Sequence, residues 1–225
     1  MVTRLADDVW WFDYQGVNAY LLRDDERLTL VDAGMPWHAS RLQRDIASTV
    51  GGVDAVDRVL VTHFDFDHIG GLSRLADAGL DATVYVGTDD EPYLAGRQQP
   101  SWRNHKGLLQ RVTGIAYSAP ALPIETVADR DTVGGFEAYH TPGHTPGHTA
   151  FVHESQSVAM VGDLVRESNG NFEVPPWALN YDTELATDSL RSFTERAPDC
   201  AVVCQGHGTP ATEHGSARLQ AARSN

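Results

Sequence analysis

Short apolar runs divided by turn residues fill the first third of the chain. Val9-Trp10-Trp11-Phe12, Ala19-Tyr20-Leu21-Leu22 and Leu28-Thr29-Leu30-Val31 are aromatic or β-branched, and Gly16, Asp24 and Asp25 separate them. That pattern predicts strands. Pro36 followed by Ala39 to Ser48 reads as a helix closed by Gly51-Gly52. Arg58 to Thr62 and Ala82 to Val86 read as strands, with a helix from Ile69 to Ala78 between them that stops at Gly79. Further strands are expected at Ile124 to Val127, Gly135 to Tyr139, Ala150 to His153, Val158 to Val161 and Ala201 to Cys204. Thr183 to Glu195, capped by Asp182 or Thr183, and Thr212 to Ala222 read as the closing helices. Strands and helices thus alternate in two rounds, which predicts a layered α/β domain with helices outside buried sheets.

Two stretches break this rhythm. Residues 88–122 carry Asp89-Asp90-Glu91-Pro92 and Gln98-Gln99-Pro100-Ser101-Trp102, with a short helix near Gly107 to Thr113. They read as a surface insertion of the kind that shapes a substrate pocket. Residues 167–182 read as a Pro- and Asn-rich loop, and Tyr93, Trp102 and Trp177 are candidates to line the pocket. No linker divides the 225 residues, so one domain is expected.

Charge narrows the partners. The chain holds 17 basic and 31 acidic residues, a net charge of −14. Such a surface repels polyanions, so nucleic acid is excluded as a partner and a small-molecule substrate is expected. Only Lys106 is a lysine; the other basic residues are arginines, and Asp outnumbers Glu. This bias fits adaptation to high salt or a GC-rich genome. No run of about 18 apolar residues occurs, so no membrane span is expected. The start, Met1-Val-Thr-Arg-Leu-Ala-Asp-Asp, lacks an apolar run behind a basic segment, so the reading is cytoplasmic. Homodimerisation is left open. Cys200 and Cys204 flank the last strand and are expected to share its face as core residues.

Chemistry concentrates where apolar strands end. Val59 to Thr62 runs into His63, Val158 to Gly162 into Asp163, and Ala201 to Gly206 into His207. Gly135 to Tyr139 leads to His144 through a Pro-Gly turn. Residues past the carboxyl ends of buried strands converge on one edge of the sheet. The densest cluster is His63-Phe64-Asp65-Phe66-Asp67-His68. In extended chain 63, 65 and 67 share a side, and a bend into the next helix brings His68 round. Carboxylates and imidazoles aimed at one point repel unless a cation lies between them. Mixed nitrogen and oxygen donors suit zinc, iron or manganese rather than calcium.

These segments resemble the metallo-β-lactamase-fold hydrolases. Thr62 to Gly71 resembles their His-x-His-x-Asp-His motif. Thr141-Pro-Gly-His144, Gly162-Asp163-Leu164 and Gly206-His-Gly-Thr-Pro210 follow in the family's order, and Val31-Asp32-Ala33-Gly34 is similar to its early motif. The resemblance implies a four-layer αββα sandwich with two divalent cations, zinc first and iron or manganese as alternatives. One cation would see His63, Asp65, His144 and Asp163; the other Asp67, His68, His207 and Asp163. Asp65 departs from the pattern, standing where the family usually has histidine. A carboxylate there hardens the site toward iron or manganese. Asp32 is expected to hold a ligand histidine, His148 to be structural, and His140 to hydrogen-bond a ligand.

The resemblance implies a hydrolase that turns a metal-bound hydroxide on an ester, thioester or lactone carbonyl. Asp67 would bind metal and orient the nucleophile or take its proton. Glyoxalase II-like thioesterases are similar in motif. The segment after His207 is too short for the helical domain that binds glutathione in glyoxalase II, so glyoxalase II itself is not expected. The alternative is a persulfide dioxygenase with one iron on His63, His144 and Asp163, in which Asp65 is spare. A binding protein with a decayed site is the third reading, opposed by the intact motif positions.

Overall fold

Neighbouring residues of one strand go to different apolar layers, and this alternation builds the fold. The structure, a computed structural model, describes residues 1–223. Among the described residues the first sheet has seven strands in sequence order: β1 (Val2–Ala6), β2 (Val9–Asp13), β3 (Asn18–Asp24), β4 (Arg27–Val31), β5 (Arg58–Val61), β6 (Thr83–Gly87) and β7 (Ile124–Val127). β1 to β4 form an antiparallel meander, and β4 to β7 run parallel. The second sheet comprises β8 (Thr132–Val133), β9 (Phe136–His140), β10 (Thr149–His153) and β11 (Val158–Gly162). After a small hairpin, β12 (Arg166–Ser168) and β13 (Asn171–Glu173), it gains β14 (Val202–Gln205), parallel to β11.

Three apolar layers lie between and outside these sheets. In β5, Val59 and Val61 face Leu42 and Ile46 of α1 (Ala39–Val50), Ile69 of α2 (Phe66–Ile69), and Leu72 and Leu75 of α3 (Leu72–Asp77). Leu60 faces the other way. It joins Tyr20, Leu22 and Val31 against Phe151, Met160 and Cys204 of the second sheet. Val161 and Val203 point outward again, onto Leu190 and Phe193 of α6 (Thr183–Arg196) and Leu219 of α7 (Gly215–Ala222). The result is the αββα sandwich. The short α4 (Glu91–Leu94) and α5 (His105–Thr113) lie in the stretch before β7.

Several local expectations are corrected. The helix expected over Ile69 to Ala78 is two pieces, α2 and α3, because Gly70-Gly71 passes close under the loop after β4. A Cβ on Gly71 would lie 2.2 Å from the Ala33 carbonyl oxygen. The bend into this helix also comes earlier than expected: Asp65 is the last extended residue, and Asp67 already sits in the first turn of α2. The loop at 167–182 contains most of the β12–β13 hairpin and a 3-10 turn at Trp177–Leu179. β1 and β8 had no clear signal, being an edge strand with no fully buried residue and a two-residue strand. The last helix starts at Gly215, three residues later than expected. Cys200 and Cys204 do not share a face; Cys200 packs under α6 and α7, Cys204 between the sheets. Cys200 precedes β14, so strand alternation does not relate the two.

Candidate metal centre

All seven candidate residues come together at one edge of the sandwich. His63 follows β5 and Asp163 follows β11; His207 follows β14, while His144 sits in the turn between β9 and β10. Asp67 and His68 come from α2. Their ligand atoms form overlapping groups, including His63–Asp65–His144 and Asp67–His68–His207, with atoms within 4.8 Å of one another in each. Asp65 Oδ2 lies 3.3 Å from His63 Nε2 and 3.0 Å from His144 Nε2. Asp67 Oδ2 lies 3.4 Å from His207 Nε2. Asp163 spans both groups. Its Oδ2 is 3.4 Å from His144 Nε2 and 3.2 Å from His207 Nε2, and its Oδ1 is 3.6 Å from His68 Nε2.

Each histidine is turned so that Nε2 faces inward. The Thr62 hydroxyl gives its proton to Asp32 at 2.8 Å and so accepts from His63 Nδ1 at 2.9 Å. His68 Nδ1 donates to Asp32 at 2.8 Å, His144 Nδ1 to Asn180 Oδ1 at 3.0 Å, and His207 Nδ1 to the Gly16 carbonyl at 2.7 Å. These acceptors hold each Nδ1–H and make Nε2 the nitrogen that can give up its proton to a cation. Asp32 thus does what its place after β4 suggested. His148 is structural, as expected: its Nε2 accepts from the Asp163 backbone N–H at 3.1 Å. His140 does not reach a ligand; its side chain donates to the Pro146 carbonyl.

The donor set fits a cation. His63 Nε2 and Asp163 Oδ1 are buried and have no hydrogen-bond partner among the described residues. Tetrahedral cation sites with bonds of about 2.0–2.1 Å hold their ligand atoms about 3.3–3.4 Å apart, close to most of the spacings above. The electrostatics agree. Burial lowers the His68 imidazole, but Asp67, Asp32 and Asp163 outweigh it and push it up to about 9. Asp163 drives His207 up to about 12. The carboxylates therefore demand positive charge at the inner nitrogens. His63 is pulled down to about 4, chiefly by burial and then by His68.

Two residues that sequence reasoning missed hold Asp65. The Lys106 ammonium lies 2.9 Å from Asp65 Oδ2 and donates to the His144 carbonyl at 2.9 Å. The Gln110 amide donates to Asp65 Oδ1 at 2.6 Å. Burial raises the Asp65 carboxyl, yet Lys106, His144 and His63 keep it well below the usual carboxylate range. Both come from α5, whose first turn is capped by Asn104. Being the single lysine of an arginine-rich chain was the one available signal for Lys106. Asn180, inside an unpatterned loop, gave none.

A cavity of about 420 Å³ opens over the site. Leu109, Gln110 and Thr113 from the 88–122 stretch line it, as do Arg166, Glu167, Pro175 and Leu179 from the region after Asp163. Met35 and Phe66 complete the apolar wall. Tyr93, Trp102 and Trp177 are not in it: Tyr93 packs on Phe64, and Trp102 and Trp177 are 66% and 68% exposed. No helix among the described residues is long and apolar enough to cross a membrane.

Comparison with known proteins agrees with this geometry. The profile of the metallo-beta-lactamase superfamily matches residues 13–207. YobT of Bacillus subtilis, an uncharacterized protein, is 28% identical over 208 residues, covering 85% of this chain and 83% of its own. The protein named "Probable metallo-hydrolase YflN" of the same organism is 25% identical over 235 residues, covering 92% and 86%. Among solved structures, TTHA1623, described in a di-iron-bound form, has a TM-score of 0.67 and 28% identity over 93% of this chain and 96% of its own. The Rm3 metallo-beta-lactamase shares the fold, with a TM-score of 0.74 at 18% identity over 99% of this chain and 91% of its own. The chain therefore belongs to the metallo-beta-lactamase superfamily. Within that class it is a metal-dependent hydrolase, and the fold implies divalent metal at this site.

Proposed function

We propose that the protein hydrolyses an ester, thioester or lactone carbonyl with two divalent cations held by His63, Asp65, Asp67, His68, His144, Asp163 and His207. The observation that carries this is the convergence of these seven side chains into three overlapping groups, in which His63–His68–Asp163 links His63–Asp65–His144 to Asp67–His68–His207 and each histidine presents Nε2. When bound, such cations supply a water acidic enough to act as nucleophile near pH ~7 and a Lewis acid for the carbonyl oxygen.

The chain's own groups do the rest. Asp163 fixes the spacing of the two groups by spanning them. Asp67 lines the cavity with its carboxylate partly open, 3.4 Å from His207 Nε2. It accepts the proton of the attacking water and orients its lone pair toward the carbonyl carbon. Met35, Phe66, Leu109, Pro175 and Leu179 seat the apolar acyl part and exclude bulk water. Zinc is the first choice of metal. The carboxylate at Asp65 and the di-iron form described for TTHA1623 keep iron in view. A single-iron oxygenase on His63, His144 and Asp163 would leave the second group, Asp67, His68 and His207, without work, which favours the dinuclear hydrolase.

The test is metal content of untagged protein purified without added metal, with hydrolysis of a panel of p-nitrophenyl esters, thioesters and lactones. About two equivalents of metal and turnover on one of these classes are expected. His144→Ala and Asp163→Ala should each abolish turnover and lower metal content. Full activity in either variant, or one iron with oxygen uptake on glutathione persulfide, overturns the reading.

A further inference from the structure

The two halves of the centre are built with opposite electrostatics. Lys106 is 2% exposed, and a buried ammonium is tolerated only when paired. Its partner is Asp65 Oδ2, the same oxygen that faces His63 Nε2 and His144 Nε2. The other Asp65 oxygen receives Gln110, whose own carbonyl accepts from the Tyr181 hydroxyl at 2.5 Å. Behind His63 and His144 stand neutral acceptors, the Thr62 hydroxyl and the Asn180 amide. Setting aside the shared Asp163, this half carries one carboxylate and one fixed cation, a balance of zero.

The other half has no such cation. Asp67 pairs only with His68 and His207 among the described residues. Behind His68 stands a second carboxylate, Asp32, at 2.8 Å. A carboxylate behind a ligand imidazole raises its basicity. This half is therefore the more anionic one.

We propose that Lys106 is a positioning residue that sets unequal affinities, making His63–Asp65–His144 the weaker cation site so that Asp67–His68–His207 fills first. The ammonium holds the Asp65 carboxylate in place and repels a cation approaching the same oxygen. Aspartate at this position is thereby matched by a charge that a histidine would not need. The proposal rests on the two-cation reading above and concerns only how the two sites differ.

The test is a zinc titration of the metal-free full-length chain against a fluorescent chelator. Wild type should show two sites whose affinities differ by about tenfold or more. Lys106→Met should tighten the weaker site by at least about tenfold, because it removes a like charge at hydrogen-bond range. It should leave the tighter site nearly unchanged, and Lys106→Arg should keep the wild-type gap. A residue that only supported the fold would, when replaced, weaken both sites. Crystals grown with one equivalent of zinc test the order without any variant, with anomalous density expected at Asp67–His68–His207. Equal sites, zinc found first at His63–Asp65–His144, or a Lys106→Met protein whose weaker site is unchanged or weakened overturns the proposal while leaving the hydrolase reading intact. No zinc, iron or manganese bound by wild type overturns that reading instead.

Discussion

At the scale of single residues, the centre depends on groups that never touch a cation. Asn180 is fully buried, accepts from His144 Nδ1 and donates to the Pro175 carbonyl. Replacing such an outer partner costs about 10–100-fold in metal affinity. Asn180→Ala should do so, measured by chelator competition, while the circular dichroism spectrum stays native. Protonation gives a second prediction. In the metal-free chain His68 rises from 6.5 to about 9. A base whose folded pKa exceeds its unfolded one adds stability that is complete below the unfolded value and lost as pH climbs through the folded value. The Tm of the metal-free protein should therefore fall between pH 6.5 and 9. Metal takes the place of that proton, so zinc affinity should rise over the same range. A Tm that is flat or rising in the metal-free protein would contradict a protonated His68.

At the scale of elements, the α2–α3 break aims His68. Ala33 N–H donates to the His68 carbonyl at 2.7 Å, and Gly71 N–H to the Gly34 carbonyl at 2.9 Å. That close approach is possible only without a side chain at 71. Gly71→Ala should cost about 1–3 kcal/mol through overpacking. It should also reduce metal content, because the displaced loop carries Asp32, which orients His68. Unchanged Tm and metal content would show that the loop yields easily. The helix pattern from Ile69 onward was legible from Leu72 and Leu75, but the break was not. Gly70-Gly71 reads in sequence as a weak spot in a helix, and what stands above it is decided by residues 33–36. The turn at Asp65 was missed because the reading carried the extended chain on through Asp67, whereas α2 begins at Phe66. Asp65, at the start of that helix, makes no capping bond and turns into the cluster, as its reading as a ligand expected.

At the scale of the whole molecule, the net charge of −14 makes the folded chain repel itself. Screening by salt relieves that repulsion. If the acidic surface reflects adaptation to high salt, Tm should climb steadily between low and molar KCl. A constant or falling Tm, followed by differential scanning fluorimetry, would reject that adaptation.

Sequence alone determined the layers and the residues brought to the candidate metal centre. Buried strands write themselves as apolar runs, and the polar residue that ends each run has to emerge at the sheet edge. That is why His63, Asp163 and His207 were visible before any fold was known. The partners of these groups were decided only in three dimensions. Lys106 reaches Asp65 from 41 positions away in the chain, and Asn180 reaches His144 from 36. Neither contact follows from a periodic pattern, because a buried hydrogen bond is set by where two distant segments of the chain meet, and no local spacing encodes that meeting.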